Sequence, residues 1–107
     1  MASTSPQPTR VDPVHVDPKH YKVELENENV RIVRTTYGPG EKSVMHGHPA
    51  SVAVFLADAN FRFTFPDGKV EEGTISSGQV MYIDAVEHLP ENTGTKPFEV
   101  ILIELKK

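Results

Sequence analysis

The chain has 107 residues, of which 37% are hydrophobic and 24% are charged, with a net charge of −4 and no cysteine. This length suits one domain with one modest core, and the negative charge with scattered basic residues argues against a nucleic-acid partner. Without cysteine there can be no disulfide, thiolate ligand or cysteine nucleophile, so any metal must be held by nitrogen and oxygen.

The N-terminal segment, residues 1–18, is rich in proline, serine and threonine and shows no sustained periodicity. We predict an extended arm or a flexible tail there, with the folded domain over residues 19–107. His15 and His20, in or next to this arm, are expected to be solvated. No apolar run approaches the ~20 residues of a membrane span, and the first thirty residues carry no apolar signal-peptide core. We therefore expect a cytoplasmic protein without a membrane partner.

The remaining sequence reads as strands separated by turn signals, with no helical periodicity of useful length. Asp67-Gly68 after Pro66 predicts a tight hairpin turn, and Pro49 predicts a bend or edge after the strand that carries His46 and His48. Strands at this spacing predict an all-β sandwich or barrel, whose interior can hold side chains or one small ligand. Besides the histidine strand, the predicted strands are residues 21–26, 30–37, 52–57, 60–65, 69–74, 78–83 and 98–105.

His46 and His48 are separated by one residue, and a third histidine, His88, follows forty residues later. Side chains alternate faces along a strand, so the first two imidazoles share one face. A third imidazole on a neighbouring strand would complete three positions around a metal ion. The alternative is that the pair hydrogen-bonds at the barrel rim and that His88 is a loop histidine near Pro90.

Gly40, His46 and His48 match the opening of the first cupin motif, and His88 with Asn92 matches the end of the second. From about residue 21 to residue 105 the chain resembles a small single-domain cupin. The resemblance implies a jelly-roll β-barrel (a double-stranded β-helix), a divalent metal (iron, nickel, zinc or manganese) on the three histidines, and a homodimer. It also allows the arm of residues 1–18 to pair with the sheet of a partner subunit. The carboxylate ligand of many cupins would fall within residues 51–53, where Ser-Val-Ala supplies none.

Three neutral imidazoles leave a divalent ion its full +2 charge, so the predicted site favours an anionic or chelating oxygen ligand. The ion could act as a Lewis acid, or iron(II) could bind substrate and dioxygen together. We therefore expect activity on a small oxygen-rich molecule, as a dioxygenase or as a sugar-acid isomerase or lyase. Tyr82 and Arg62 are the candidate acid, base or anion clamp. The alternatives are a metal and small-ligand binding module without turnover, and a metal-free structural dimer.

Overall fold

The computed structural model describes residues 11–106, and the first ten residues of the predicted arm lie outside them. No helix in this described part is long and apolar enough to cross a membrane. One short helix precedes nine strands. Their bounds are α1 (Pro13–Val16), β1 (Tyr21–Glu26), β2 (Val30–Tyr37), β3 (His46–His48), β4 (Ser51–Phe55), β5 (Ala59–Thr64), β6 (Val70–Ile75), β7 (Val80–Ile83), β8 (Val86–Asn92) and β9 (Phe98–Leu105).

The strands form two antiparallel sheets, one of five strands in the order β1-β2-β9-β4-β7 and one of four in the order β3-β8-β5-β6. Pro49, predicted to bend the chain, lies between β3 and β4, where the chain leaves the four-stranded sheet for the five-stranded one. This architecture confirms the predicted all-β jelly roll.

Alternation along the strands decides which side chains enter the barrel. On β9, Phe98, Val100, Leu102 and Glu104 are buried, whereas the residues between them are only half buried. The inward-facing set is mostly apolar and aromatic, so its burial supplies the main driving force for folding. The buried hydrophobic core consists of Tyr21, Val33, Tyr37, Ala53, Phe55, Ala59, Phe98, Val100 and Leu102.

The hairpin turn between β5 and β6 is formed as predicted. Gly68 has a φ of 87°, a conformation that glycine adopts without a steric penalty. The Phe65 amide donates to the Lys69 carbonyl over 2.9 Å, and the Lys69 amide donates to Asp67 Oδ1 over 2.9 Å. Asp-Gly at this point therefore fixes the register of the two strands.

Strand β8 is missing from the strands predicted above, because Pro90 in its middle cannot donate a ladder hydrogen bond. The structure accommodates Pro90 opposite Phe63 of β5, and its carbonyl accepts a hydrogen bond from the Ser43 amide over 2.9 Å. His88 is consequently a strand residue and not a loop histidine, which removes that part of the alternative to a metal site.

The described end of the predicted arm, residues 11–18, lies against the chain's own barrel. It contains α1, which contacts β1 and β3. His15 is exposed as expected, whereas the expectation for His20 is wrong: His20 is buried and stacks on Tyr37 with ring centroids 4.3 Å apart. The division into an arm of residues 1–18 and a domain of residues 19–107 stays a prediction.

Candidate metal centre

The two strands that carry the histidines are neighbours in the four-stranded sheet. Strand β3 pairs antiparallel with β8, and His46 lies directly opposite His88. His48 shares the face of His46 because the two are separated by one residue. All three imidazoles are buried, and each offers a nitrogen within 4.8 Å of the others. The structure thus brings together the three histidines predicted as ligands.

The distance between Nε2 of His46 and Nε2 of His48 suits a shared ion. Nε2 of His46 lies 3.0 Å from Nε2 of His48. Two nitrogens that each bind one ion at about 2.1 Å lie about 3.0–3.4 Å apart, depending on the coordination angle. The three rings meet nearly edge to face, with centroids 4.8–5.2 Å apart, so the nitrogens converge without stacking of the rings.

The protein environment keeps the histidines in the form that binds metals. Burial, followed by the charge of His48, lowers the pKa of His46 to about 4. Burial, followed by the charges of His48 and His46, lowers the pKa of His88 to about 2. Both rings are therefore neutral at pH 7, and a neutral imidazole is the ligand form of histidine.

His88 has two buried ring nitrogens, and neither has a hydrogen-bond partner among residues 11–106. A buried polar atom without a partner normally costs about 1–3 kcal/mol, and native proteins keep few of them. Coordination of an ion would satisfy one of these nitrogens. This observation shows that the residues present fit a metal.

The other two histidines are supported from behind. Nδ1 of His46 donates to the Val44 carbonyl over 2.8 Å. Nδ1 of His48 lies 3.6 Å from Oε2 of Glu104, a buried carboxylate that accepts a hydrogen bond from Arg31 Nε over 2.8 Å. His46 therefore has the carbonyl partner that metal-binding histidines characteristically have and presents Nε2 toward the centre. Nδ1 of His48 lies near a carboxylate but has no hydrogen-bond partner within residues 11–106.

Glu104 is a site residue that the sequence reasoning missed. Burial raises the pKa of its carboxyl, but contacts with His48 and Arg31 outweigh that effect and hold the pKa below its ordinary value. The available signal was alternation: Glu104 occupies the same face of β9 as Phe98, Val100 and Leu102. A glutamate in an inward-facing apolar row needs a buried partner.

A cavity of about 70 Å³ opens beside His48 and His88. Apart from the two histidines its walls are mainly aliphatic and aromatic, and no Asp, Glu, Lys or Arg of the described chain lines it. Thr35 adds a polar group to this lining: its hydroxyl is buried and has no hydrogen-bond partner within residues 11–106. The larger wall residues are Tyr21, Tyr37, Phe55, Phe61, Phe63, Ile83, Pro90, Phe98 and Leu102.

Tyr21 connects this wall to the metal centre. Its ring meets the His46 ring edge-on at 4.9 Å, and its hydroxyl hydrogen-bonds that of Tyr37 over 2.6 Å. Burial, then the neighbouring Tyr37, raises the pKa of Tyr21 well above its ordinary value. Tyr21 therefore stays protonated at neutral pH and contributes a wall and a hydroxyl, not a phenolate.

Tyr82 and Arg62, the predicted acid, base or anion clamp, do not lie at this centre. Tyr82 is 61% exposed, because its neighbours Met81 and Ile83 take the inward face of β7. Arg62 forms ion pairs with Glu72 and Glu91. Neither lines the cavity, so the geometry gives no support to a catalytic role for them.

Asn92, which carries part of the resemblance, has a structural position. It is fully buried, and its side-chain amide donates to the carbonyls of Tyr37 and Lys96, 3.2 and 2.9 Å away. Its own Oδ1 accepts from the Gly94 amide over 2.8 Å. These bonds shape the turn between β8 and β9, which places β8 in its sheet.

No family model and no curated protein matches this sequence, but solved structures do match. A cupin domain from Bordetella pertussis Tohama I has 24% sequence identity and a TM-score of 0.74, covering 81% of this chain and 92% of that one. An RmlC-like cupin family protein with a double-stranded β-helix fold from Methanocaldococcus jannaschii has 17% identity and a TM-score of 0.62, covering 95% of this chain and 93% of that one.

A third similar structure, the polyketide cyclase RemF from Streptomyces resistomycificus, is 11% identical with a TM-score of 0.58, covering 81% of this chain and 64% of that one. At these identities the likeness establishes the fold and nothing finer. The two antiparallel sheets agree with the match to solved cupin structures from two different organisms. This chain therefore has the cupin fold.

Proposed function

We propose that this protein holds one divalent metal ion through His46, His48 and His88 and binds a small molecule beside it. The observation that carries the proposal is the buried trio of imidazoles, in which His88 has two nitrogens without a partner among the described residues. An incidental histidine at a barrel rim would keep contact with water and would not incur this desolvation cost.

The small molecule in this proposal has an apolar body and a metal-binding oxygen. Ligand pockets place a few polar groups among apolar walls, and those groups fix the orientation of the ligand. Here the polar groups include His48, His88 and the unpaired hydroxyl of Thr35, and the walls include Phe61, Phe63 and Phe98. A sugar acid would leave many hydroxyls unpaired against these walls, so the dioxygenase branch has more support than the isomerase or lyase branch.

The chain's own residues contribute binding, orientation and the exclusion of water. The phenylalanines enclose the apolar end of the ligand, and the hydroxyl of Thr35 offers one hydrogen bond. The ion, when bound, would supply Lewis acidity or a site for dioxygen. His46 and His88 remain neutral at pH 7, because burial holds the pKa of each far below its ordinary value.

A second function is a binding module without turnover. It is favoured by the cavity lining, since no carboxylate or amine of the described chain reaches it and Tyr21 stays protonated. Any chemistry would then have to come from the metal and a co-substrate. Dioxygen uptake by the iron(II)-loaded protein with an apolar enol or thiol, absent under nitrogen, would decide for the dioxygenase over the binding module.

We expect elemental analysis of the untagged protein, purified without chelator, to find about one equivalent of iron, nickel, zinc or manganese per chain. His46→Ala should lose it, because two imidazoles cannot hold the ion. His15→Ala is the matched control, since His15 is exposed on α1, and it should keep the metal. A parent protein that stays metal-free after reconstitution with each of the four ions would refute the site and leave the metal-free structural dimer.

We also propose that a second copy of the chain covers the outer face of the five-stranded sheet. The register aligns Tyr82, Val52, Ile103 and Ile32 in one row across four strands. Val80, Val54 and Ile101 form most of the next row. Val80 and Tyr82 are each 61% exposed. A contiguous apolar face of this kind characteristically marks an interaction surface.

Light scattering coupled to size exclusion should therefore give about twice 11.9 kDa for the parent protein. Ile103→Lys, in the centre of the face, should shift the mass to that of a monomer, because a lysine cannot be buried there without a partner. Val70→Lys is the control: Val70 is also exposed but lies on β6, in the other sheet. A monomeric parent, or a dimer unaffected by Ile103→Lys, would contradict this interface.

A further inference from the structure

The segment that precedes the barrel, residues 11–20, touches the metal-binding strand from the side opposite β8. We call it the N-terminal strap. Its Val11 carbonyl accepts a hydrogen bond over 2.9 Å from the amide of Gly47, the residue between His46 and His48. Strand β3 has only three residues and pairs with β8 alone. The strap therefore supplies the second edge contact of the strand that carries two of the three histidines.

One branch of contacts runs from the strap to His46. Oδ2 of Asp17 accepts hydrogen bonds from Ser43 Oγ at 2.5 Å and from His20 Nδ1 at 2.7 Å. Ser43 Oγ also lies 3.3 Å from Nδ1 of His46. A serine hydroxyl has one proton to donate, and Ser43 donates it in the hydrogen bond to Asp17. Toward His46, Ser43 can then act only as an acceptor.

This arrangement fixes the tautomer of His46. Nδ1 faces two acceptors, the oxygen of Ser43 and the carbonyl of Val44, so the proton of the neutral ring belongs on Nδ1. Nε2 is left with its lone pair toward the other histidines, which is what a metal ligand requires.

A second branch runs from the strap to His48. The two carboxylate oxygens of Asp12 each accept a hydrogen bond over 2.9 Å from the guanidinium of Arg31. Arg31 in turn donates to Glu104, the carboxylate behind His48. Asp12 also caps α1 by accepting from the Val14 amide. The two carboxylates that flank the short helix therefore each support one metal-binding histidine.

We propose that Asp17 and Asp12 of the N-terminal strap are positioning residues, which hold His46 and His48 in the tautomer and orientation that bind the metal. This inference rests on the metal site proposed above. It also gives the strap a role beyond packing. The loss of Asp17 would free the Ser43 proton for donation to Nδ1 of His46, in competition with the Val44 carbonyl. A fraction of the rings would then carry the proton on Nε2, where it competes with the metal.

The test compares zinc affinity, by competition with a chromophoric chelator, in the parent protein, Asp17→Ala, Ser43→Ala and the double variant. We expect Asp17→Ala to weaken zinc binding about 10–100-fold, the usual range for partners behind the ligands. Ser43→Ala alone should have a smaller effect, because the Val44 carbonyl remains. In the double variant the misplaced donor is gone, so binding should recover to near the level of Ser43→Ala.

A merely structural role would give a different pattern. The double variant would then bind zinc as weakly as Asp17→Ala or more weakly, and that result would overturn the proposal, as would unchanged affinity in Asp17→Ala. Asp58→Ala is the control. Asp58 lies in the loop before β5, where it accepts a hydrogen bond from the Ser77 amide, and its substitution should leave zinc affinity unchanged.

Long-range 1H–15N spectra of the metal-free proteins separate this inference from the proposed function. His46 should carry its proton on Nδ1 in the parent and partly on Nε2 in Asp17→Ala, whereas Asp12→Ala should alter the signals of His48. If the parent binds no zinc, the metal site fails and these spectra still decide whether the strap sets the tautomer. The same His46 tautomer in the parent and in Asp17→Ala would overturn the inference.

Discussion

His88→Leu should abolish metal binding and at the same time stabilise the metal-free protein. Both nitrogens of His88 are buried without a partner in residues 11–106, and Phe63 packs against the ring at a centroid distance of 4.5 Å. Leucine has a similar volume and leaves no polar atom unsatisfied, which removes a penalty of about 1–3 kcal/mol. Urea unfolding of chelator-treated parent and variant measures this gain.

Metal affinity should change in the opposite direction, by more than about 100-fold, since even partners behind the ligands contribute 10–100-fold. His15→Leu changes an exposed histidine and should leave both the affinity and the unfolding free energy of the metal-free protein unaltered. A metal-free His88→Leu protein that is less stable than the parent would mean that the site is not adapted to a metal at the expense of stability.

Arg31→Met should lower the free energy of unfolding by about 3–5 kcal/mol, the cost of removing one partner from a buried ion pair. Arg31 bridges Asp12 and Glu104, and its side chain is only 12% exposed while that of Glu104 is 3% exposed. Without the guanidinium, both carboxylates lose their charge partner. Urea unfolding at pH 7 measures the difference.

Arg34→Met is the matched control for this change. Arg34 also bridges two carboxylates, those of Glu24 and Glu99, but all three side chains are 34–37% exposed. Exposed pairs of this kind contribute about 0–1 kcal/mol, so the control should stay within that range. Equal losses in the two variants would contradict the argument from burial.

The pH dependence of Arg31→Met follows from Glu104. In the parent its pKa is lowered in the folded protein, so its contribution is present above the pKa of the unfolded chain and is lost as the pH falls through the folded value. In Arg31→Met, burial without the guanidinium should raise the folded pKa. The variant then gains from protonation as the pH falls, and the difference from the parent should narrow in mildly acidic solution.

The histidine cluster could be predicted because it depends on two local rules. A period of two places His46 and His48 on one face, and the spacing to His88 matches a known pattern. Glu104 and Asp17 could not be predicted in the same way, since their roles arise from contacts between segments far apart in the chain. No local pattern in residues 11–18 indicates that this segment packs on β3.

Face assignment was the main difficulty for the predicted catalytic residues. Alternation states that Tyr82 differs in direction from Met81 and Ile83, but the outward-facing residues of β4, β7 and β9 are almost as apolar as the inward-facing ones. Only the pairing of Val52 with Tyr82 and of Val52 with Ile103 shows that Tyr82 belongs to an outer row. Arg62 is a different case, since Phe61 and Phe63 already mark the core face of β5 and alternation sets Arg62 on the other face.

The register of His46 opposite His88 also bears on the unfolded chain. An ion shared by these two residues would cross-link the polypeptide at positions 46 and 88, closing a loop that contains β4, β5, β6 and β7. By the chain-entropy arithmetic used for disulfides, a link of this span restricts the unfolded ensemble by about 4 kcal/mol. The chain has no cysteine and therefore no disulfide that could restrict the unfolded ensemble in the same way. Removal of the ion by a chelator should therefore shorten the lifetime of the native state against proteases.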